Sequence, residues 1–168
     1  MGEKCTIART IEDKDIYRIA LDTRNLEISL FWQRSNYFLV LNSGLALAYF
    51  SIQNVWISLA VAIFGLLSAL LWYRTNLGSK FWQSRWEQRL AEIERRIAPD
   101  LKMFAADYQS IEEDVRQSQN LRGSKTIFHR WLQRQILRKP SVSAGMTALS
   151  MLFVSAWVVL PILRFIVT

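Results

Sequence analysis

Residues Ser35 to Tyr73 form an almost uninterrupted apolar block, broken only by the polar tetrapeptide 51–54. A helix needs about 20 apolar residues to cross a hydrocarbon core of roughly 30 Å. The block is therefore too long for one transmembrane helix, and it fits two helices joined by a minimal turn. A second apolar run, Val142 to Val167, is long enough for a third span. These runs predict a membrane protein.

The positive charge is concentrated in one segment. The net charge is +7, and residues 74–140 carry fourteen Lys and Arg against eight Asp and Glu, whereas residues 1–34 carry six of each. Because cytoplasmic segments of membrane proteins carry an excess of Lys and Arg, we expect residues 74–140 and the N-terminus inside and the C-terminus outside. The same rule explains the basic balance without nucleic acid as a partner. Nucleic-acid binding remains a third hypothesis, and it requires salt-sensitive binding by residues 74–140.

The periodicity of apolar residues predicts an all-α membrane protein with three transmembrane helices, a hairpin plus a C-terminal span, and a cytoplasmic helical domain. The predicted parts are a cytoplasmic amphipathic helix 1–34, the hairpin 35–73, the cytoplasmic domain 74–140 and the C-terminal span 141–168. We expect one continuous helix from about Asp13 to Phe50, an interruption or kink at 74–79, and a further helix over 100–119.

Two amphipathic stretches lie within the predicted cytoplasmic domain. The first has an apolar stripe that we interpret as the core of the hairpin's extension: Phe81, Trp82, Trp86, Leu90, Ile93 and Ile97. The second, 125–138, is basic and carries Phe and Trp, which favours the bilayer interface over docking on the cytoplasmic helices. Its basic residues are predicted to contact lipid headgroups: Lys125, Arg130, Arg134, Arg138 and Lys139.

Polar side chains within the first span are the main functional candidates. Asn36, Asn42 and Ser43 lie in or beside the apolar run, and an amide in hydrocarbon is costly unless it is hydrogen-bonded. One interpretation is an interhelical hydrogen bond, and we favour it for Asn42. The other is a polar ring that lines a pore after oligomerisation.

Small residues recur at four-residue spacing in all three spans. The pairs are Gly44 with Ala48, Gly65 with Ala69, and Ala144 with Ala148. Such pairs let helix backbones approach closely in lipid. They offer more packing surfaces than one three-helix protomer satisfies, which predicts a homo-oligomer.

The sequence contains no recognised catalytic or nucleotide-binding motif, and no acidic or basic residue near the middle of a span. We therefore expect neither an enzyme nor a cofactor. The lone His129 has no neighbours at ligand spacing, so we expect no metal site. The cluster Glu112, Glu113 and Asp114 is interpreted as a solvated face or as a patch that meets a partner.

Three stretches resemble the family of RipA-like octameric membrane proteins: 21–27, 31–38 and 80–87, the last reading Lys-Phe-Trp-Gln-Ser-Arg-Trp-Glu. The resemblance implies a homo-oligomer, an octamer, in the bacterial inner membrane. More loosely, the architecture resembles SLATT-type two-span effector domains, which are thought to form pores in bacterial anti-phage systems. The third span departs from that two-span plan.

Two functions are compatible with this sequence. The first is a pore-forming or membrane-perturbing effector, in anti-phage defence, held inactive until a cytoplasmic protein trigger acts on the helical domain. The alternative is a non-conducting scaffold or adaptor that recruits a cytoplasmic partner. The first predicts ion leakage on activation, and the second predicts none.

Overall fold

The structure is a computed structural model that describes residues 2–120, 131, 135–136 and 141–167. Over these residues the regular secondary structure is helical. The helices are α1 (Gly2–Ser51), α2 (Val55–Ile97), α3 (Tyr108–Asn120) and α4 (Val142–Val167). The expected all-α fold is confirmed. Two helices, α2 and α4, are long and apolar enough to cross a membrane, and α1 is not among them within the described residues.

The predicted turn of the hairpin lies where α1 ends and α2 begins. Asn54 caps α2, since its Oδ1 accepts hydrogen bonds from the backbone N–H groups of Trp56 (3.0 Å) and Ile57 (3.2 Å). The interruption predicted at 74–79 is wrong, because α2 continues through these residues, while the alternative of a kink stays a prediction. Asn76 and Ser79 are buried there, and their side chains bond to α1. These side chains therefore do not compete with the backbone hydrogen bonds of α2.

The helix predicted over 100–119 begins eight residues later. Residues 98–107 instead form a bend in which Lys102 has a left-handed backbone (φ 47°). Asp107 caps α3, since its carboxylate accepts a hydrogen bond from the Ser110 backbone N–H, and it accepts a further one from the Ser110 hydroxyl. That hydrogen bond is the main reason that the pKa of Asp107 lies below its usual value.

The chain divides into two compact units, which we describe separately. The charged unit comprises Met1–Asn25 with Ser84–Ser141, and the apolar unit comprises Leu26–Gln83 with Val142–Thr168. The core of the charged unit is formed by Ala20, Leu90 and Ile93, with Trp86 and Ile97 packed against them. This confirms part of the predicted stripe. Phe81 and Trp82 belong to the apolar unit and are exposed there, so the prediction that they lie in this core is wrong.

Candidate functional site

The apolar unit contains a three-helix bundle built from α1, α2 and α4. Its core combines Tyr49 of α1, Ala62 and Ala69 of α2, and Trp157 of α4. Gly65 permits this packing, because a Cβ at position 65 would overlap the Trp157 indole ring. The predicted pair Gly65 and Ala69 therefore lies at a close helix contact.

A first polar layer crosses this bundle at Asn42, which is fully buried. Its Nδ2 donates to the Phe38 carbonyl oxygen (2.9 Å) and to Ser68 Oγ (3.2 Å). Trp157 Nε1 donates to Asn42 Oδ1 over 2.9 Å. One amide thus connects all three helices, and both ends of it are hydrogen-bonded within a single protomer.

A second polar layer lies two helical turns from the first. Ser35 Oγ donates to Asn76 Oδ1 over 3.4 Å. Asn76 Nδ2 faces the Met146 carbonyl oxygen (3.2 Å) and Ser150 Oγ (3.5 Å). Again α1, α2 and α4 each contribute, and Ser35, Asn76 and Ser150 are at least 99% buried. Polar groups in a dry bundle fix the helix register, since a shift leaves them unsatisfied.

The spacing of polar residues along the sequence is a signal for these layers. Ser35 and Asn42 are seven residues apart, as are Ser150 and Trp157, and Ser68 and Asn76 are eight apart. Such spacing places both members of a pair on one helix face. Polar residues two turns apart on each of three apolar helices therefore predict two layers.

Arg164 was also missed as a functional residue. Its guanidinium donates to the carbonyl oxygens of Tyr49 (3.1 Å), Ile52 (2.5 Å) and Gln53 (3.1 Å), at the end of α1. It also lies 5.4 Å from the centre of the Tyr49 ring. A cation at the C-terminus of a helix satisfies carbonyls that lack intrahelical partners and complements the helix dipole.

The other predicted residues of the first span lie on the surface of the apolar unit. Asn36 and Ser43 are exposed, and because they are seven residues apart they share one face of α1. Val40 and Leu47, exposed by 71% and 72%, lie on the same face. Gly44 is also exposed, and nothing lies within 4 Å of the Cβ that another residue would add. We call Asn36, Val40, Ser43 and Leu47 the α1 stripe.

The remaining candidates are distributed as follows. Ala48 is half-buried, and Ala144 and Ala148 are exposed on α4. Glu112 pairs with Arg116 over 2.6 Å, while Glu113 and Asp114 are exposed. The predicted headgroup residues lie outside the described part of the chain: Lys125, Arg130, Arg134, Arg138 and Lys139.

The charged unit is organised around Glu94, a fully buried carboxylate. Its two oxygens accept hydrogen bonds from the backbone N–H groups of Met103 (2.7 Å), Phe104 (2.7 Å) and Ala105 (2.8 Å). Burial alone would raise the pKa of Glu94, but these three donors outweigh it and lower the pKa. Burial raises the pKa of the Tyr17 phenol, and the Glu94 charge adds to that effect. Within the described residues, no cluster of His, Cys, Asp or Glu is arranged to hold a metal ion.

Apolar helices long enough to cross a membrane, joined by neutral polar layers, are typical of helical membrane proteins. Residues 14–166 match the octameric membrane protein family (8xMP), and the chain belongs to that family. The suspected family is thereby confirmed, and membership places the chain among homo-oligomeric membrane proteins. No curated protein and no solved structure matches the chain.

Proposed function

We propose that the chain is a three-span subunit of a homo-octamer that acts as a pore-forming effector in the bacterial inner membrane. The observation that carries the proposal is the α1 stripe. It places an amide and a hydroxyl, Asn36 and Ser43, on a surface of the apolar unit that α2, α3 and α4 leave exposed.

The third span of this proposal is the part of α1 after Arg34. No charged residue lies between Arg34 and Ser51, and this stretch rises about 26 Å at 1.5 Å per residue, close to the hydrocarbon thickness. It exposes large apolar side chains, among them Tyr37 (74%) and Phe50 (68%). It also shares both polar layers with α2 and α4, which supports a common solvent for the three helices.

The polar groups of α1 fall into two classes, and only one of them needs an external partner. Asn42 is satisfied within the protomer, so a lumen requires nothing from it. Asn36 and Ser43 are exposed, and an exposed amide at membrane depth favours contact with water or with a neighbouring subunit. In a ring of eight copies with the α1 stripe facing the axis, the side chains would form alternating polar and apolar rings along the lumen.

The rings of apolar side chains explain how such a pore is held closed. Rings of Val40 and Leu47 would form hydrophobic constrictions, which block ions by excluding water. A trigger acting on the charged unit would then widen the constriction. The positive balance of residues 74–140 supports a cytoplasmic location for that unit. The role in anti-phage defence rests on the similarity to SLATT-type effectors.

The test is potassium release from liposomes that contain the purified oligomer. Leu47→Ser makes the proposed constriction polar, so we expect constitutive leakage without any trigger. Leu41→Ser is the matched control, because Leu41 is exposed on α1 but lies about 120° around the helix from Leu47. Equal leakage from both variants, or none from either, would exclude the proposed lumen.

A non-conducting scaffold is the second candidate, and the two polar layers favour it. They make the apolar unit a self-contained module in which every layer residue already has a partner. On this alternative, Leu47→Ser leaves the liposomes tight. Function in cells is then lost on changing the acidic cluster, Glu112, Glu113 and Asp114, while changes at Asn36 have no effect.

A further inference from the structure

The charged unit carries an open apolar cleft of about 600 Å³ between α1 and α2. Its floor includes Ile16, Ile19 and Trp86, and its rim includes Arg89 and Arg96. Ile19 remains 65% exposed. The density of charge in this unit excludes it from hydrocarbon, so lipid tails do not cover these side chains. Apolar surface of this kind in water marks a contact site.

The lining of the cleft carries two arginines, Arg89 and Arg96, and one carboxylate, Glu92. Arg89 pairs with Glu92 over 3.0 Å and Arg96 with Asp13 over 3.7 Å. Both guanidinium side chains are 61% exposed, and exposed pairs of this kind hold their partners weakly. The rim can therefore accept carboxylates from another molecule.

The same unit presents a complementary protrusion on the bend that follows α2. Leu101 and Met103 are exposed by 53% and 65%, and we call these two residues the knob. Asp100 and Asp107, both exposed, flank the knob, with Lys102 between its two residues. The cleft of the same protomer is lined by neither knob residue.

The knob is held in a fixed conformation, which lowers the entropy cost of docking it. Met103 N–H bonds to the buried Glu94 carboxylate, and so do the next two backbone N–H groups. Phe104, the residue after the knob, turns inward and packs against the core of the charged unit. Side chains of Leu101 and Met103 are left outside, although they are apolar.

We propose that the knob of one subunit docks into the cleft of the next, with Asp100 near the rim arginines. A cleft and a knob at different places on one chain make a head-to-tail contact, and such contacts form a ring when the rotation between subunits closes, as an octamer requires. The proposed occupant is a second copy because the family is homo-oligomeric, both surfaces are apolar, and two arginines line the cleft while two aspartates flank the knob. The inference rests on the oligomer of the proposed function and not on its conductance.

Disulfide cross-linking of the full-length chain in native membranes tests this contact. In a Cys5→Ser background, Ile19→Cys with Met103→Cys should give, on oxidation, a ladder of multiples of the 19.6 kDa protomer on a denaturing gel. Arg18→Cys with Met103→Cys is the matched control, since position 18 is exposed on the same helix but about 100° around it. The control should remain monomeric.

Three outcomes overturn the inference: no ladder, a ladder that the control shares, or a product that stops at the dimer. A charge exchange supplies a second readout. Arg96→Glu should weaken the ladder, and adding Asp100→Arg should restore it; absence of restoration also counts against the contact. Potassium flux is independent of both readouts, so a ladder without flux retains this contact and rejects the pore.

Discussion

The two units of this protein satisfy buried polar groups in opposite ways. The apolar unit uses neutral side chains from three helices, such as Asn42 with Ser68 and Trp157. The charged unit buries a carboxylate, Glu94, and surrounds it with backbone N–H donors. On the proposed topology the difference follows from the solvent, because an ionised group is costly at membrane depth while a neutral amide needs only one or two partners. Each unit is therefore expected to lose stability through different substitutions.

The largest loss of stability is expected at Gly65, where the packing of the apolar unit leaves no space for a side chain. Gly65→Ala places a methyl carbon 2.3 Å from the Trp157 ring, which is buried and bonded to Asn42 and so cannot withdraw. We expect a loss of about 3 kcal/mol in the free energy of unfolding. Gly44→Ala is the matched control and should be neutral, since that Cβ meets nothing within 4 Å. Unfolding in detergent, followed by tryptophan fluorescence, measures both.

Glu94→Ala should produce the next largest effect, confined to the charged unit. It leaves three backbone N–H groups without their acceptor, at a cost of about 2 kcal/mol. Hydrogen exchange of residues 101–107 should rise while the exchange of α4 stays unchanged. Equal protection of the bend in both proteins would remove Glu94 from its assigned role.

The same carboxylate predicts a pH dependence. The pKa of Glu94 is lower in the folded protein than its usual 4.5. Its contribution to the free energy of unfolding is therefore complete above that value and is lost as the pH falls through the folded pKa. Thermal unfolding should therefore show wild type more stable than Glu94→Gln at neutral pH, with the gap narrowing in acid. A gap that stays constant to low pH would show that charge is unimportant there.

A smaller effect is expected at the first polar layer. Asn42→Leu removes the acceptor of Trp157 Nε1 and the donor to Ser68, and hydrogen bonds between membrane helices contribute about 1 kcal/mol. Asn36→Leu, which lies on the α1 stripe, should leave protomer stability unchanged. Comparison of the two unfolding curves in detergent separates the structural amide from the exposed one.

The smallest effect is expected at the surface of α3. Arg116→Gln removes an exposed ion pair with Glu112, four residues earlier on the same helix. Pairs of this geometry contribute about 0.3–0.5 kcal/mol. Circular dichroism of the full-length protein should show no loss of helix, and a large loss would mean that α3 depends on this pair.

Much of the fold could be predicted from local sequence chemistry, whereas the contacts between residues distant in the sequence could not. The apolar block and its polar tetrapeptide predicted where α1 ends and α2 begins. The sequence could not reveal that Trp157 bonds to Asn42, 115 residues away, although the two-turn spacing of polar residues pointed to the layers. The bend at 98–107 was missed because its cause, the Glu94 carboxylate, lies on the preceding helix and reaches forward to it.

The central claim is that the α1 stripe faces water in the assembled protein. In a Cys5→Ser background, the rate at which a membrane-impermeant thiol reagent modifies Asn36→Cys in open membrane sheets tests it most directly. Tyr37→Cys is the reference, because it is exposed at the same depth but about 100° around the helix. We expect Asn36→Cys to react much faster than Tyr37→Cys. An Asn36→Cys rate equal to or below that of Tyr37→Cys would contradict the account.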